Sequence, residues 1–104
     1  RKGSMTKKNL IECTIEFYGV AQMVIGMKSL RLTMPEGTTL LDINRVLTQQ
    51  FPQATDKIVQ KTGGHVVLQQ GHIYCLNGSI FTNDPDQPIA PNDVLLLISS
   101  SAGG

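Results

Sequence analysis

The residues most open to chemistry stand at the end of the chain, where SSSA over 99–102 leads into Gly103 and Gly104. Six small residues can extend by at most about 3.3 to 3.6 Å each, or roughly 20 Å in all. Two glycines let the main chain take almost any dihedral pair and pass a slot too narrow for a Cβ. The carboxylate of Gly104 is then the one reactive group on a thin, extensible arm. A Gly-Gly end by itself matches by accident often, and most chain ends simply fray, so the elements in front of it have to decide its meaning.

Other reactive side chains do not assemble into a set. His65 and His72 lie seven apart across a Gly-rich turn with nothing nearby to complete a zinc or catalytic group, so no metal site is expected. Gly63 and Gly64 lack the Lys and the Ser or Thr that a phosphate-binding loop requires, which leaves a turn. Asp84 and Asp86 flank Pro85 in a loop, weak grounds for acid–base work. Cys13 and Cys75 each sit in a strand-like apolar pattern, where a thiol behaves as a small hydrophobe; a disulfide is the other option, disfavoured in a reducing compartment. Two thiolates fall short of the four protein ligands of the usual iron–sulfur clusters.

The elements that would position the end piece are legible in the hydrophobic pattern. LIECTIEFY (10–18) alternates, with Ile11, Cys13, Ile15 and Phe17 on one face and Glu12, Thr14, Glu16 and Tyr18 on the other, as in a half-buried strand. After a loop carrying Gly19 and Gly26, SLRLTM alternates again, with Leu30, Leu32 and Met34 inward, so the first two strands form a hairpin. Pro35, Glu36 and Gly37 break the strand, and Thr39 with Asp42 three positions on predicts a capping box and a helix start. Leu40, Ile43, Leu47 and Phe51 follow at helical spacing, with Asn44, Arg45, Thr48 and Gln49 expected to face water and Pro52 to end the helix. A helical turn is expected around 56–60 and a short strand over 65–69. HIYCL, then Asn77-Gly78, then SIF predicts two strands about a tight turn, and TNDPDQPIAPND, with three prolines, must be loop.

VLLLI (94–98) is a continuous apolar run between Asp93 and Ser99 that reads as a central strand. The order strand, strand, helix, then several strands with a buried one last describes an α+β protein of the β-grasp (ubiquitin-like) kind. Its mixed sheet would carry one main helix across it, with the first and last strands parallel. If Leu95 and Leu97 point to the helix, Val94, Leu96 and Ile98 point away, and that apolar outer face calls for either a partner or cover by the protein's own loops.

Size and charge narrow the function classes. The 104 residues make one domain able to close a core without metal or disulfide staples. Residues 1–4, ahead of Met5, look like a cloning remnant, which leaves a body over 5–98 and an end piece over 99–104. Setting Arg1 and Lys2 aside leaves seven basic residues against eight acidic ones, scattered, where a nucleic-acid binder would show a basic stripe. No apolar run approaches bilayer-spanning length and no signal-peptide pattern precedes Met5, so a cytoplasmic protein without nucleic-acid or membrane partners is expected.

The chain from Ile11 to Gly104 resembles the small subunit of molybdopterin synthase and related ubiquitin-like sulfur carriers. The resemblance rests on Phe17 and Tyr18 closing the first strand and the segment through Ile25 and Gly26. It rests further on Asn77, Pro88 with Ile89, Asp93, the strand 94–98, and Gly103 with Gly104. The shorter thiamine-pathway carriers are similar but usually lack the long first segment. This chain departs from the family at Ala21, Gln22 and Met23, where an Arg and a Glu are frequent. It departs again at Ser99 and Ser100, where two prolines are frequent, and at Asn92, where Gly is common.

The resemblance implies a concrete chemistry. An adenylating activating enzyme would use ATP and magnesium to convert the Gly104 carboxylate to an acyl adenylate. Sulfide from a persulfide donor would displace AMP to leave a thiocarboxylate, and the end piece, with Ser101, Ala102 and Gly103, would deliver it inside a large catalytic subunit for molybdopterin synthesis. The chain itself would bind no cofactor and supply no catalytic side chain. Tyr18 and Ile80 match family positions on the outer face to which parity assigns Leu96 and Ile98, so these four would meet the partners. A protein modifier joined to lysines through Gly104, a carrier for thiamine or another metabolite, and a binding module with an inert end are the alternatives.

Overall fold

The computed structural model describes residues 9–99. Strand β1, Leu10–Tyr18, follows its alternation, with Ile11, Cys13, Ile15 and Phe17 buried. It pairs antiparallel with β2, Ser29–Pro35, in a register that sets Ile15 opposite Leu30, Cys13 opposite Leu32 and Ile11 opposite Met34. One face of this hairpin is therefore wholly apolar. On its other face Arg31 donates two hydrogen bonds to Glu12 Oε1, at 3.0 and 2.7 Å.

The segment between these strands is not the plain loop that its sequence suggests. It folds into a short helix, α1, Val20–Ile25, which buries Ala21 and Ile25 and ends at Gly26 with φ 86°. Six residues are too few for a 3.6-residue period to show, and Gly19 at the N-cap has no side chain to announce a helix start.

The main helix, α2, Leu40–Gln50, begins where Thr39 and Asp42 placed it. The Asp42 carboxylate accepts the Thr39 amide at 3.0 Å, satisfying an amide donor that the first helical turn leaves without a partner. Leu40, Ile43 and Leu47 are buried against the sheet, and Phe51, just past the helix end, meets Phe17 edge-on with ring centroids 6.5 Å apart. Asn44 corrects the expected solvent face, because it is only 6% exposed. Its amide donates to Val66 O at 3.1 Å and its carbonyl accepts the Tyr74 hydroxyl at 2.6 Å. The helix is covered on a second side by a hairpin that the sequence showed only faintly, so its buried arc is wider than the leucine stripe.

That hairpin joins β3, Val59–Thr62, to β4, His65–Leu68, through Gly63 and Gly64 at φ 58° and 83°. The turn that these glycines suggested is present, whereas the helical turn expected over 56–60 is not. A 3₁₀ turn, Pro52–Ala54, comes earlier, Asp56 takes φ 68°, and Val59 already belongs to a strand.

Strands β5, His72–Leu76, β6, Ile80–Thr82, and β7, Val94–Ser99, complete the main sheet. Its order is β2-β1-β7-β5-β6, with β1 and β7 parallel and the other pairs antiparallel. With α2 packed across one face, this is the β-grasp (ubiquitin-like) arrangement. Strand β7 runs one residue beyond the expected boundary at 98, since Ser99 pairs with His72. No helix among the described residues is long and apolar enough to cross a membrane.

Candidate functional site

Strand β7 is held at its entry by side chains. The Val94 amide donates to Asn77 Oδ1 at 2.8 Å, Asn77 Nδ2 donates to Asp93 Oδ1 at 2.9 Å, and the Thr14 amide donates to Asp93 O at 3.0 Å. The other carboxylate oxygen of Asp93 accepts the Ala90 amide at 2.8 Å. Asn92 stands at φ 66°, a left-handed conformation that Asn tolerates better than most residues, so the turn forms here without a glycine. These contacts lock β7 in register with β1 and β5.

That register decides which side chains share the outer face, away from α2. Leu95 and Leu97 are fully buried, as expected, while Val94, Leu96 and Ile98 are half-buried on the opposite side. Leu96 stands between Glu16 of β1 and Cys75 of β5, and Ile98 stands between Tyr18 and Ile73. Cys75 in turn faces Phe81 on β6. The outer face is thus split: β2 and β1 offer Arg31, Glu12, Thr14 and Glu16, and β7, β5 and β6 offer Leu96, Ile98, Ile73 and Phe81 around Cys75, which is buried among them. Tyr18, 43% exposed, sits at the seam and donates its hydroxyl to Glu16 at 2.6 Å. That hydrogen bond, with slight desolvation and the Glu16 charge, raises the phenol above its ordinary range.

Of the four partner-facing residues named from the sequence, Tyr18, Leu96 and Ile98 come together on this face. Ile80 does not. It lies opposite Leu76, whose side chain is in the core, so it points to the helix side of the sheet edge and is 56% exposed there. Phe81, 63% exposed, takes the place on the outer face. The reason is a single extra residue. Ser79 donates its amide to Leu76 O across a turn with Asn77 and Gly78 at φ 53° and 72°, yet the ladder resumes only at Ile80. A two-residue loop would have paired Leu76 with Ser79 and turned Ile80 outward, because a one-residue slip reverses every side chain. Phe81 could be found from the sequence only with that slip known, whereas the facing of Ile73 and Cys75 is set by the pairing of β5 with β7.

At its far end β7 delivers the chain beside the start of α1. Ser99 Oγ accepts the Ala21 amide at 2.9 Å, and Gly19, at φ 65°, lies so close that an added Cβ would stand 2.9 Å from Ser99 O. Gly104, with Gly103, Ala102 and Ser101, lies outside the described residues, as do residue 100 and residues 1–8. Among the described residues no three His, Cys, Asp or Glu side chains converge as metal ligands would. Cys13, inside the core, has its thiol pushed up by burial and, secondarily, by the Asp93 carboxylate, which disfavours a reactive thiolate.

No protein-family model and no curated protein matches this chain. Solved structures do. The small archaeal modifier protein SAMP1 of Haloferax volcanii superposes with a TM-score of 0.75 at 18% identity, over 89% of this chain and 99% of that one. SAMP1 of Methanosarcina acetivorans gives 0.74 at 16% identity, over 92% and 99%. A Pyrococcus furiosus protein assigned as molybdopterin converting factor subunit 1 gives 0.63 at 12% identity, over 86% and 98%. Both kinds of neighbour share the β-grasp fold seen here. At such identities the likeness fixes the fold, and the activity has to be argued from the site.

Proposed function

We propose that this chain is a sulfur carrier that works through the carboxylate of Gly104, activated as an acyl adenylate and converted to a thiocarboxylate for molybdopterin synthesis. The observation that carries the reading is the course of β7. A central strand, pinned at both ends, leads toward Gly103-Gly104 and bears a split apolar face along the same strand.

The chemistry asked of the chain is modest. The carboxylate attacks the α-phosphate of ATP bound with magnesium by an activating enzyme, pyrophosphate leaves, and hydrosulfide, sulfur already at the sulfide level when the donor releases it, then attacks the acyl carbon and displaces AMP to leave the thiocarboxylate. Every catalytic group belongs to the partners. The chain contributes a rigid body, a recognition face and an end piece slim enough to enter another protein's active site. Leu96, Ile98, Ile73 and Phe81, with Tyr18 at the margin, form the face on which the activating enzyme and the large catalytic subunit would dock in turn, since exposed apolar area on a sheet is stabilised by a partner. An ATP-dependent partner and two reduced cysteines agree with a cytoplasmic setting.

A second reading is a protein modifier joined through Gly104 to target lysines, and the likeness to two archaeal modifier proteins favours it. Adenylation is common to both, so intact-mass measurement after incubation with an activating enzyme, ATP and a sulfur donor separates them. Replacement of one oxygen by sulfur on the free chain is the carrier's result, and a ladder of conjugates is the modifier's. If removal of Gly103 and Gly104 left activation by ATP unchanged, both readings would fall.

A further inference from the structure

We propose that Glu16 is the point at which the outer face selects its partner: its carboxylate takes an arginine or lysine side chain from the protein that docks there. The proposal rests on the reading above, that the apolar half of this face is covered by an activating enzyme. Glu16 stands in β1 at the boundary between the two halves, opposite Ser29 of β2 on one side and Leu96 of β7 on the other. Its neighbours leave it half-buried, whereas Glu12, four residues earlier on the same face, is exposed. The two acids also differ in how their charge is met. Arg31 lies opposite Thr14, diagonal to both, and gives its two hydrogen bonds to Glu12. Glu16 receives the neutral Tyr18 hydroxyl on Oε1 at 2.6 Å. The ion pairs among the described residues join Arg31 to Glu12 and Arg45 to Asp42, and Glu16 is in neither.

Glu16 and Tyr18 border a shallow cleft that Phe17, Gln22, Lys28 and Ser29 complete, open to a side chain from outside; Lys28 lines it without pairing with Glu16. While the face is open, solvent meets the remaining lone pairs of the carboxylate. A partner that covers Leu96 and Ile98 also strips water from Glu16, because Leu96 is its neighbour in the ladder. A carboxylate desolvated with one neutral donor is strongly unfavourable, and it becomes favourable when a cation meets it with charge-assisted hydrogen bonds. The same acid therefore rejects a surface that presents apolar or acidic groups at this point, which apolar contact alone would admit.

The test measures the affinity of the full chain for its activating enzyme by calorimetry at about 0.05 and about 0.5 M salt, with Glu16→Gln, Glu16→Lys and Leu96→Asp beside the wild type. Glutamine removes the charge and keeps both the length of the side chain and an acceptor for Tyr18. Glu16→Gln should weaken binding about ten-fold or more at the lower salt, and Glu16→Lys further. Between the two salts the wild type should lose several-fold more affinity than Glu16→Gln, because screening acts on the pair that only the wild type makes. Both Glu16 variants should melt close to the wild type, which keeps folding out of the comparison. Binding by Glu16→Gln as tight as the wild type, or tighter, would overturn the proposal, since removing an unmatched charge from an interface relieves its desolvation. Weaker binding with the wild-type salt dependence would overturn it in favour of neutral donors in the partner. In both cases the docking reading stands if Leu96→Asp binds poorly. A Leu96→Asp chain that binds as well as the wild type would instead remove the docking reading, and this proposal with it.

Discussion

Replacing Asn44 by alanine should be among the most damaging single changes in this fold, although the sequence placed that side chain in water. Asn44 sits at the junction of three elements: its amide holds the β4 carbonyl of Val66 at 3.1 Å and its carbonyl holds the Tyr74 hydroxyl of β5 at 2.6 Å. Tyr74 is 1% exposed, so water cannot replace the lost acceptor. Asn44→Ala leaves a buried hydroxyl and a buried carbonyl without partners. At about 1–3 kcal/mol for each of the two unsatisfied groups the cost is about 2–6 kcal/mol, a large share of the roughly 5–15 kcal/mol that stabilises a domain. Urea denaturation followed by circular dichroism should show the midpoint lowered by about 1–3 M, given a slope of about 2 kcal/mol per M. Tyr74→Phe strands only the Asn44 carbonyl and should cost about 1–2 kcal/mol. The double variant Asn44→Leu, Tyr74→Phe should be less damaged than the sum of the two singles by at least about 1 kcal/mol, because both ends of the bond are then apolar. An Asn44→Ala midpoint within about 0.3 M of wild type, on an unchanged slope, would refute the argument and show that the site relaxes to admit water.

Changing Leu96 or Phe81 to Asp should weaken binding to the activating enzyme at least about ten-fold by calorimetry, since each puts a charge into the desolvated centre of an apolar contact. The same change at Ile80, which points to the other side of the sheet edge, should weaken it far less. Stability should fall on the alkaline side: burial raises both Cys13 and Tyr74, so the folded state keeps protons that the unfolded state releases. Their contribution is complete below about pH 8.5, the unfolded thiol's range, and is lost progressively as pH climbs past it and then past about 10 for the phenol. A thermal melt series from pH 7 to 11 should show the decline, less steep in Cys13→Ala relative to that variant's own value at pH 7. Asp42→Ala removes the carboxylate at the start of α2 and should cost about 1 kcal/mol, seen as a melting temperature lower by about 4–8 °C.

Local pattern decided a good deal by itself. Alternation over 10–18 and 29–34, the Thr39 and Asp42 pair, the leucine spacing of α2 and the apolar run 94–98 each act through neighbours within one element, so period and capping chemistry suffice to read them. The Gly-Gly end and the outward parity of Leu96 and Ile98 were legible for the same reason. Tertiary structure decided what depends on a second element. Asn44 looks polar until β4 and Tyr74 close over it. α1 is too short to show a period, and its first turn is capped by a serine from the far end of the chain. Ile80 and Phe81 exchange faces because one residue, Ser79, is left out of the ladder. Side-chain parity along a strand is a local property, but its registration against the neighbouring strand is set by a turn and by hydrogen bonds that only the folded sheet makes.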